Sequence, residues 1–199
     1  MFSRIVTFTG AQDIDDGVSY VRDVVTPQLK QQKGFRGITA SADRRSGVLG
    51  VLSLWETEAD RDASESAMAK TREEGQRIVG GTLTVEMYEE ALVEMAQRPV
   101  VASRLLVRRV SMDPATVDAN LAYFESDVLP QIKANAGFQA VRQMINRATG
   151  EGVVGTVWAD EASLKAAATD AESRRDQAAQ RGVTLGEQSA REILFVDLQ

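Results

Sequence analysis

The chain has 199 residues, of which 43% are hydrophobic and 26% charged, a composition typical of a globular protein. Its formal net charge of −6 argues against a nucleic-acid-binding surface, because such a surface needs clustered lysine and arginine side chains. The chain contains no cysteine and no histidine. This excludes disulfides, thiolate nucleophiles, zinc–sulfur sites and acid–base or haem chemistry that depends on histidine.

The first half of the chain alternates between strand and helix patterns. Residues 2–9 are rich in β-branched and aromatic side chains, which predicts a strand. Residues 13–33 carry apolar side chains three or four positions apart, which predicts a helix, and Gly34 suits its C-terminal cap. The elements predicted next are strands at 35–42 and 48–55, a helix at 57–76 and a strand at 82–92.

The second half gives the same order of elements. Asp113 and Pro114 mark the start of its first helix, and Gly137 marks the end. The predicted strands are at 101–110, 138–146, 152–159 and 192–198, and the second helix is at 160–179. Each half therefore reads β-α-β-β-α-β, and the strands at 35–42 and 48–55 form a hairpin, as do their counterparts.

The two halves also repeat individual residues at one constant offset, as between Pro27 and Pro130. The repeated residues of the first copy are Tyr20, Val25, Pro27, Gln28, Lys30, Gly34, Phe35, Arg44, Gly47, Val51, Trp55, Glu58, Ala59 and Ala63. Their counterparts are Tyr123, Val128, Pro130, Gln131, Lys133, Gly137, Phe138, Arg147, Gly150, Val154, Trp158, Glu161, Ala162 and Ala166. The chain is therefore two copies of one module, and the recurring prolines predict a helix that is kinked or restarted at the same place in both.

The element order predicts an α+β fold of two tandem ferredoxin-like modules, at residues 1–94 and 100–199, joined by a linker at 95–99. Each antiparallel sheet would have helices on one face and leave the other face bare. A bare, partly apolar face needs a partner, and the second copy is the obvious one. We expect the two sheets to close into a barrel within the chain, an intrachain pseudo-dimer for which further self-association stays open.

One pattern resembles a known family. Gly34-Phe35, a hairpin and then Leu-Trp-Glu-Thr-Glu-Ala at 54–59 are similar to the antibiotic biosynthesis monooxygenase family, and Gly137-Phe138 and residues 157–162 repeat the pattern. Proteins of that family are dimeric α/β-barrels, so the resemblance implies a fused version of the dimer. Their activities include cofactor-independent oxygenation of aromatic polyketides, haem degradation and aldehyde isomerisation.

The resemblance places Trp55 and Trp158 in pockets between sheet and helices, whereas a role as core aromatic residues is the simpler interpretation. In the haem-degrading branch this tryptophan acts with a histidine on the following helix. Here Glu65 and Ala168 stand at that position, so we expect no haem degradation by that route. The oxygenase branch needs neither metal nor cofactor, because an aromatic anion can itself pass an electron to O₂ in a dry pocket.

The candidate catalytic residues are therefore Trp158, Trp55 and Asn146, and the candidate ligand-binding residues are Tyr20, Tyr123, Arg4 and Arg104. Asn146 lies at a hairpin end, where a turn role is the alternative. Arg4 and Arg104 lie in apolar first strands, where burial would require an anionic partner or ligand. No metal site is expected.

Three functions stay open. The first is a cofactor-free monooxygenase acting on a small aromatic or polyketide-like molecule. The second is a non-enzymatic binding or structural barrel, and the third is an isomerase or dehydratase that uses Glu56 or Glu65. No apolar run reaches the length of a membrane helix, and the first residues lack a signal sequence, so we expect a cytoplasmic protein without membrane or nucleic-acid partners.

Overall fold

The computed structural model describes residues 1–199 and contains eight strands. The strands are β1 (Phe2–Thr9), β2 (Phe35–Asp43), β3 (Val48–Trp55), β4 (Thr82–Met95), β5 (Arg104–Ser111), β6 (Phe138–Asn146), β7 (Glu151–Trp158) and β8 (Thr184–Leu198). They are hydrogen-bonded in the order β1-β3-β2-β8-β5-β7-β6-β4, which closes on itself as an antiparallel barrel. The predicted α+β fold, with two ferredoxin-like β-α-β-β-α-β copies and a closed sheet, is confirmed.

The helices follow the predicted order, but the first helix of each copy is interrupted once, and the second helix of the second copy is divided at Arg174. In the first copy they are α1 (Ile14–Tyr20), α2 (Thr26–Leu29) and α3 (Glu58–Val79); in the second they are α4 (Val117–Tyr123), α5 (Leu129–Ala134), α6 (Glu161–Ser173) and α7 (Arg175–Gln180). A π-helical turn joins α1 to α2, and another joins α4 to α5. Both turns end two residues before the recurring proline, so the helix accommodates the proline by a π-helical turn while its backbone stays helical. No helix is long and apolar enough to cross a membrane.

Gly34 and Gly137 end these first helices with φ angles of +73° and +77°. A Cβ atom at Gly137 would stand 2.3 Å from the hydroxyl of Ser163, and one at Gly34 would stand 2.5 Å from the carboxylate of Asp60. Both the left-handed backbone and the close approach of the next helix therefore require glycine, as the sequence predicted for Gly34.

The chain divides into two compact units. The first unit is Met1–Tyr88 with Glu192–Gln199, and the second unit is Glu89–Arg191. Strand β8 ends in the first unit, where Gly37–Ala42 of β2 pair with it, and β4 ends in the second unit, where it pairs with β6. The division of the sequence into modules at residues 95–99 stays a prediction about how the chain was duplicated.

Strand β8 is longer than predicted, since it starts at Thr184 rather than at residue 192. Its added residues, Thr184–Arg191, are mostly polar and half-buried or exposed. They carry little of the apolar signal by which a strand is recognised from sequence.

Each unit buries its apolar residues between its sheet and its helices. In the first unit Trp55 packs with Leu29, Phe35 and Met68, and Phe8 packs with Leu49 and Val79. In the second unit Trp158 packs with Leu106, Ile132 and Leu164. The two tryptophans therefore occupy matching positions in the layer between sheet and helices.

Candidate functional site

The layer between sheet and helices contains a cavity in each unit, but the two differ in size. In the second unit a cavity of about 140 Å³ lies next to Trp158, between β5, β6 and β7 and helices α4 to α7. In the first unit the corresponding cavity is about 60 Å³. The larger volume is close to the ~150 Å³ of an apolar cavity known to accept benzene, so it suits one aromatic ring.

Side-chain volume explains the difference. Phe8 in the first copy and Val110 in the second occupy the same register, since Phe8 pairs with Leu49 and Val110 pairs with Gly152. Likewise, Met68 in α3 and Ala171 in α6 stand at the same distance along the chain from the two tryptophans. The larger side chains reduce the cavity volume in the first unit, and the smaller ones leave the larger cavity in the second unit.

Trp158 forms part of the wall of the larger cavity and is 1% exposed. Its indole N–H donates to the hydroxyl of Thr156 over 2.8 Å, and its ring meets Phe138 edge to face at 5.8 Å. Because the N–H is already occupied, the ring offers the cavity an apolar surface.

Arg108 is a buried arginine on β5 that was not among the residues predicted from the sequence. It lines the cavity and is 7% exposed. Its terminal nitrogens donate to the backbone carbonyl of Gly186 over 2.9 Å and to the side chains of Glu172 and Gln188. Strand alternation could have found it, because Leu106, Arg108 and Val110 share one face of β5.

Four polar atoms of residues that line the cavity have no hydrogen-bond partner within the protein, although each is buried. They are Arg108 Nε, Arg174 Nε, Gln143 Oε1 and the hydroxyl of Tyr123. Gln143 is the most buried of these residues, at 4% exposed. Buried polar groups are nearly always hydrogen-bonded, so four unpartnered atoms on the residues of one cavity are unusual.

The charge around the cavity is mainly positive. Arg108, Arg174 and Arg181 line it together with one acid, Asp170, which accepts a hydrogen bond from Arg174. The guanidinium of Arg181 lies 3.9 Å from the centre of the Tyr123 ring. Glu172 carries the counter-charge, and hydrogen bonds from Arg108 and then from Arg175 lower the pKa of its carboxyl group.

Of the residues predicted from sequence, the structure brings Trp158 and Tyr123 together at this cavity. Trp55 is fully buried in the first unit, where its indole N–H donates to Ser53 over 3.1 Å. Tyr20 borders the smaller cavity and donates to the carbonyl of Thr71 over 3.3 Å, and burial raises the pKa of its phenol.

Arg4 and Arg104 do not occupy equivalent places. Arg4 stands opposite Ser53 in the sheet, whereas Arg104 stands opposite Trp158. Arg4 is buried and forms an ion pair of 2.9 Å with Glu65, and burial lowers the pKa of its guanidinium. It thus has the anionic partner that a buried arginine needs.

Arg104 and Asn146 line neither of the two cavities. Arg104 is half-buried and pairs with Glu161 over 3.6 Å. Asn146 lies in the β6–β7 hairpin, where its side-chain oxygen accepts the backbone N–H of Ala148 over 3.0 Å, as a turn residue does. The roles that the sequence suggested for these residues stay predictions. No three His, Cys, Asp or Glu side chains gather in a way that could hold a metal ion.

Comparison with known folds places the chain among α/β-barrel proteins. FN1347 of Fusobacterium nucleatum, a candidate monooxygenase, superposes with a TM-score of 0.71 and 13% identity, over 100% of this chain and 94% of that one. An anthrone oxidase-like protein gives 0.70 and 14%, over 99% and 92%. A Listeria monocytogenes ferredoxin-fold protein related to antibiotic biosynthesis monooxygenases gives 0.53 and 8%, over 98% and 95%. These likenesses show the fold that the sequence pattern predicted.

Sequence comparison gives a nearer relative. No protein-family model matches the chain. The uncharacterized protein Rv2557 of Mycobacterium tuberculosis is 31% identical over 154 residues, which are 77% of this chain and 69% of Rv2557. A second protein of that organism, Rv2558, is 27% identical over 133 residues, which are 67% of this chain and 56% of Rv2558. The chain therefore belongs to the same family as Rv2557, on the α/β-barrel fold of the proteins related to antibiotic biosynthesis monooxygenases.

Proposed function

We propose that the second unit binds one small aromatic molecule in the cavity beside Trp158. The observation that carries this proposal is the combination of a one-ring volume with four buried polar atoms that have no protein partner. A mostly apolar wall with a few well-placed polar groups is the usual form of a small-molecule site. Apolar walls come from Leu106, Val128 and Ile132, and the polar atoms supply the orientation.

A second candidate function is oxidation of that molecule by O₂ without metal or cofactor. It is favoured by Arg108 and Arg174, whose positive charges stabilise a deprotonated hydroxyl group and so make the ring a better electron donor. The ring anion forms a carbon–oxygen bond with O₂. Loss of water from the resulting hydroperoxide then leaves a carbonyl, so that a phenol and one O₂ give a quinone and one water.

Tryptophan fluorescence tests the binding proposal, because the chain has only two tryptophans and only Trp158 lines the larger cavity. Trp55→Phe leaves Trp158 as the reporter, and Trp158→Phe leaves Trp55. With 4-nitrophenol as the probe, we expect saturable quenching in the first variant and none in the second. Equal quenching of both reporters, or no saturation in either, would show that the cavity does not bind the probe.

Oxygen uptake with one-ring dihydroxybenzenes tests the second candidate. We expect uptake above the protein-free rate in the wild type, and a return to that rate when Ala171→Met fills the cavity. Uptake that is the same with and without protein would rule out oxidation of these compounds while leaving the binding proposal intact.

A further inference from the structure

We infer that the cavity of the second unit recognises an aromatic monoanion that keeps one hydroxyl group, with the anionic oxygen held by Arg108 and Arg174. This inference rests on the proposed function and specifies the ligand's charge. The two Nε–H groups are donors only, since a guanidinium cannot accept a hydrogen bond. An anionic oxygen accepts from both and needs no partner for a proton of its own.

The existing ion pairs leave these two donors free to bind. Arg108 uses its terminal nitrogens for Gly186, Gln188 and Glu172, while its Nε has no partner in the protein. Arg174 has a single protein partner, since a terminal nitrogen binds Asp170, and its Nε is likewise unpartnered. Each guanidinium is thus paired with a carboxylate of the protein and keeps one buried N–H that has no partner in the protein.

The remaining polar atoms fit a hydroxyl group on the same ligand. Gln143 Oε1 can only accept, so it requires an O–H or N–H from its partner. The hydroxyl of Tyr123 can donate or accept. Together these residues offer donors for an anionic oxygen and an acceptor for a hydroxyl hydrogen, a set that a hydroxylated aromatic acid or a dihydroxy ring that has lost one proton would match.

The first copy supports this assignment because it lacks the volume and three of the four polar side chains. Val6, Ala40 and Thr71 stand where the second copy has Arg108, Gln143 and Arg174. Tyr20 is kept, but its hydroxyl is satisfied by the carbonyl of Thr71. Arg108, Gln143 and Arg174 therefore occur together in the copy that has the larger cavity, as expected if they bind one ligand there.

Titration calorimetry near neutral pH tests the inference with two matched pairs of probes. 4-Hydroxybenzoate and its methyl ester differ in a carboxylate, and 4-nitrophenol and 4-nitroanisole differ in a phenolate. We expect at least one of the anions to bind about tenfold more tightly than its neutral partner, the size expected of charge-assisted hydrogen bonds. Preference for the carboxylate or for the phenolate identifies the source of the anionic oxygen.

Variants assign the preference to the two arginines. Arg108→Gln and Arg174→Gln should each remove most of the preference for the anion, with folding checked by circular dichroism. Arg147→Gln makes the same charge change at an exposed residue that pairs with Glu89, and it should keep the preference. Arg108→Lys keeps the charge but lacks the Nε–H, so it should behave like Arg108→Gln.

The outcomes separate the inference from the proposed function. Equal affinity for acid and ester and for phenol and ether overturns the anion inference and leaves aromatic binding standing. A preference that survives in both arginine variants also overturns it. Failure of all four probes to bind overturns the proposed function itself.

Discussion

Single residues decide which copy has the larger cavity. Val110 and Ala171 leave the space that Phe8 and Met68 occupy in the other copy, and Arg108 replaces a valine. None of these exchanges alters the strand or helix in which it lies, because each fits the local pattern of its element. The fold can therefore be kept in both copies while the cavity is kept in one.

At this scale we predict that Ala171→Met blocks the cavity. The longer side chain reproduces the first copy, where Met68 is 3% exposed in the core. Because it enters existing space, stability should change by no more than about 1 kcal/mol, at the low end of overpacking costs. Affinity for 4-nitrophenol, measured by calorimetry, should fall at least about tenfold.

Ala166→Met is the matched control for that variant, since Ala166 lies on the same helix with its side chain exposed. It should bind like the wild type. Unchanged affinity in Ala171→Met would mean that the probe binds elsewhere.

At the scale of the elements, the first helix of each copy shows how a helix accommodates the recurring proline. In the first copy the backbone N–H and the hydroxyl of Thr26 both donate to the carbonyl of Val21, the hydroxyl over 2.7 Å. In the second copy the backbone N–H of Leu129 donates to Phe124 without such a hydroxyl. The π-helical turn is thus a property of the proline, and Thr26 reinforces it in one copy only.

We predict that Thr26→Val lowers the free energy of unfolding by about 1 kcal/mol, because it removes a buried hydrogen bond while keeping the side-chain shape. Chemical denaturation measures this directly. Thr169→Val is the control: its hydroxyl donates to the carbonyl of Lys165 over 3.1 Å but is exposed, so water can replace it and the cost should be near zero. Equal costs for the two variants would contradict the role given to burial.

The end of α6 carries a pH-dependent contribution to stability. Hydrogen bonds from Arg108 and Arg175 lower the pKa of Glu172 below its ordinary value of 4.5. Because the folded pKa is depressed, this contribution is fully present above pH 4.5 and is lost as the pH falls through the lowered folded pKa. Glu172→Gln removes the titrating group and leaves the neighbouring residues in place.

We therefore expect wild type to be more stable than Glu172→Gln near neutral pH, and the difference to shrink on acidification below pH 4.5. Urea denaturation at a series of pH values measures the difference and cancels the effects of the other carboxylates. A difference that stays constant down to the most acidic pH would show that Glu172 is not coupled to the arginines.

In the whole molecule, the duplication has kept the fold twice and the candidate site once. We predict a stoichiometry of one ligand per chain, because the first unit's cavity of about 60 Å³ is too small for an aromatic ring. Calorimetry with 4-nitrophenol, at protein concentrations well above the dissociation constant, gives this number. A stoichiometry of two would mean that the first unit opens to admit a ligand.

Much of this architecture was readable from the sequence. The spacing of apolar residues, the capping glycines and the two tryptophans at matched places predicted the element order and the closed sheet. The turn role of Asn146 likewise depends on contacts within a few residues of chain. These signals are local or repeat along the chain, so they can be recognised without knowledge of the fold.

The sequence by itself determined the duplicated ferredoxin-like fold, because backbone geometry and apolar periodicity act within each element and the second copy repeats them. Only the tertiary structure decided that the second copy has the larger cavity, that Arg108 is buried beside Glu172, and that Arg174 and Gln143 border the same cavity. These residues come from different strands and helices. The volume they leave, and the partners they lack, depend on how their side chains pack in space rather than on any pattern along the chain.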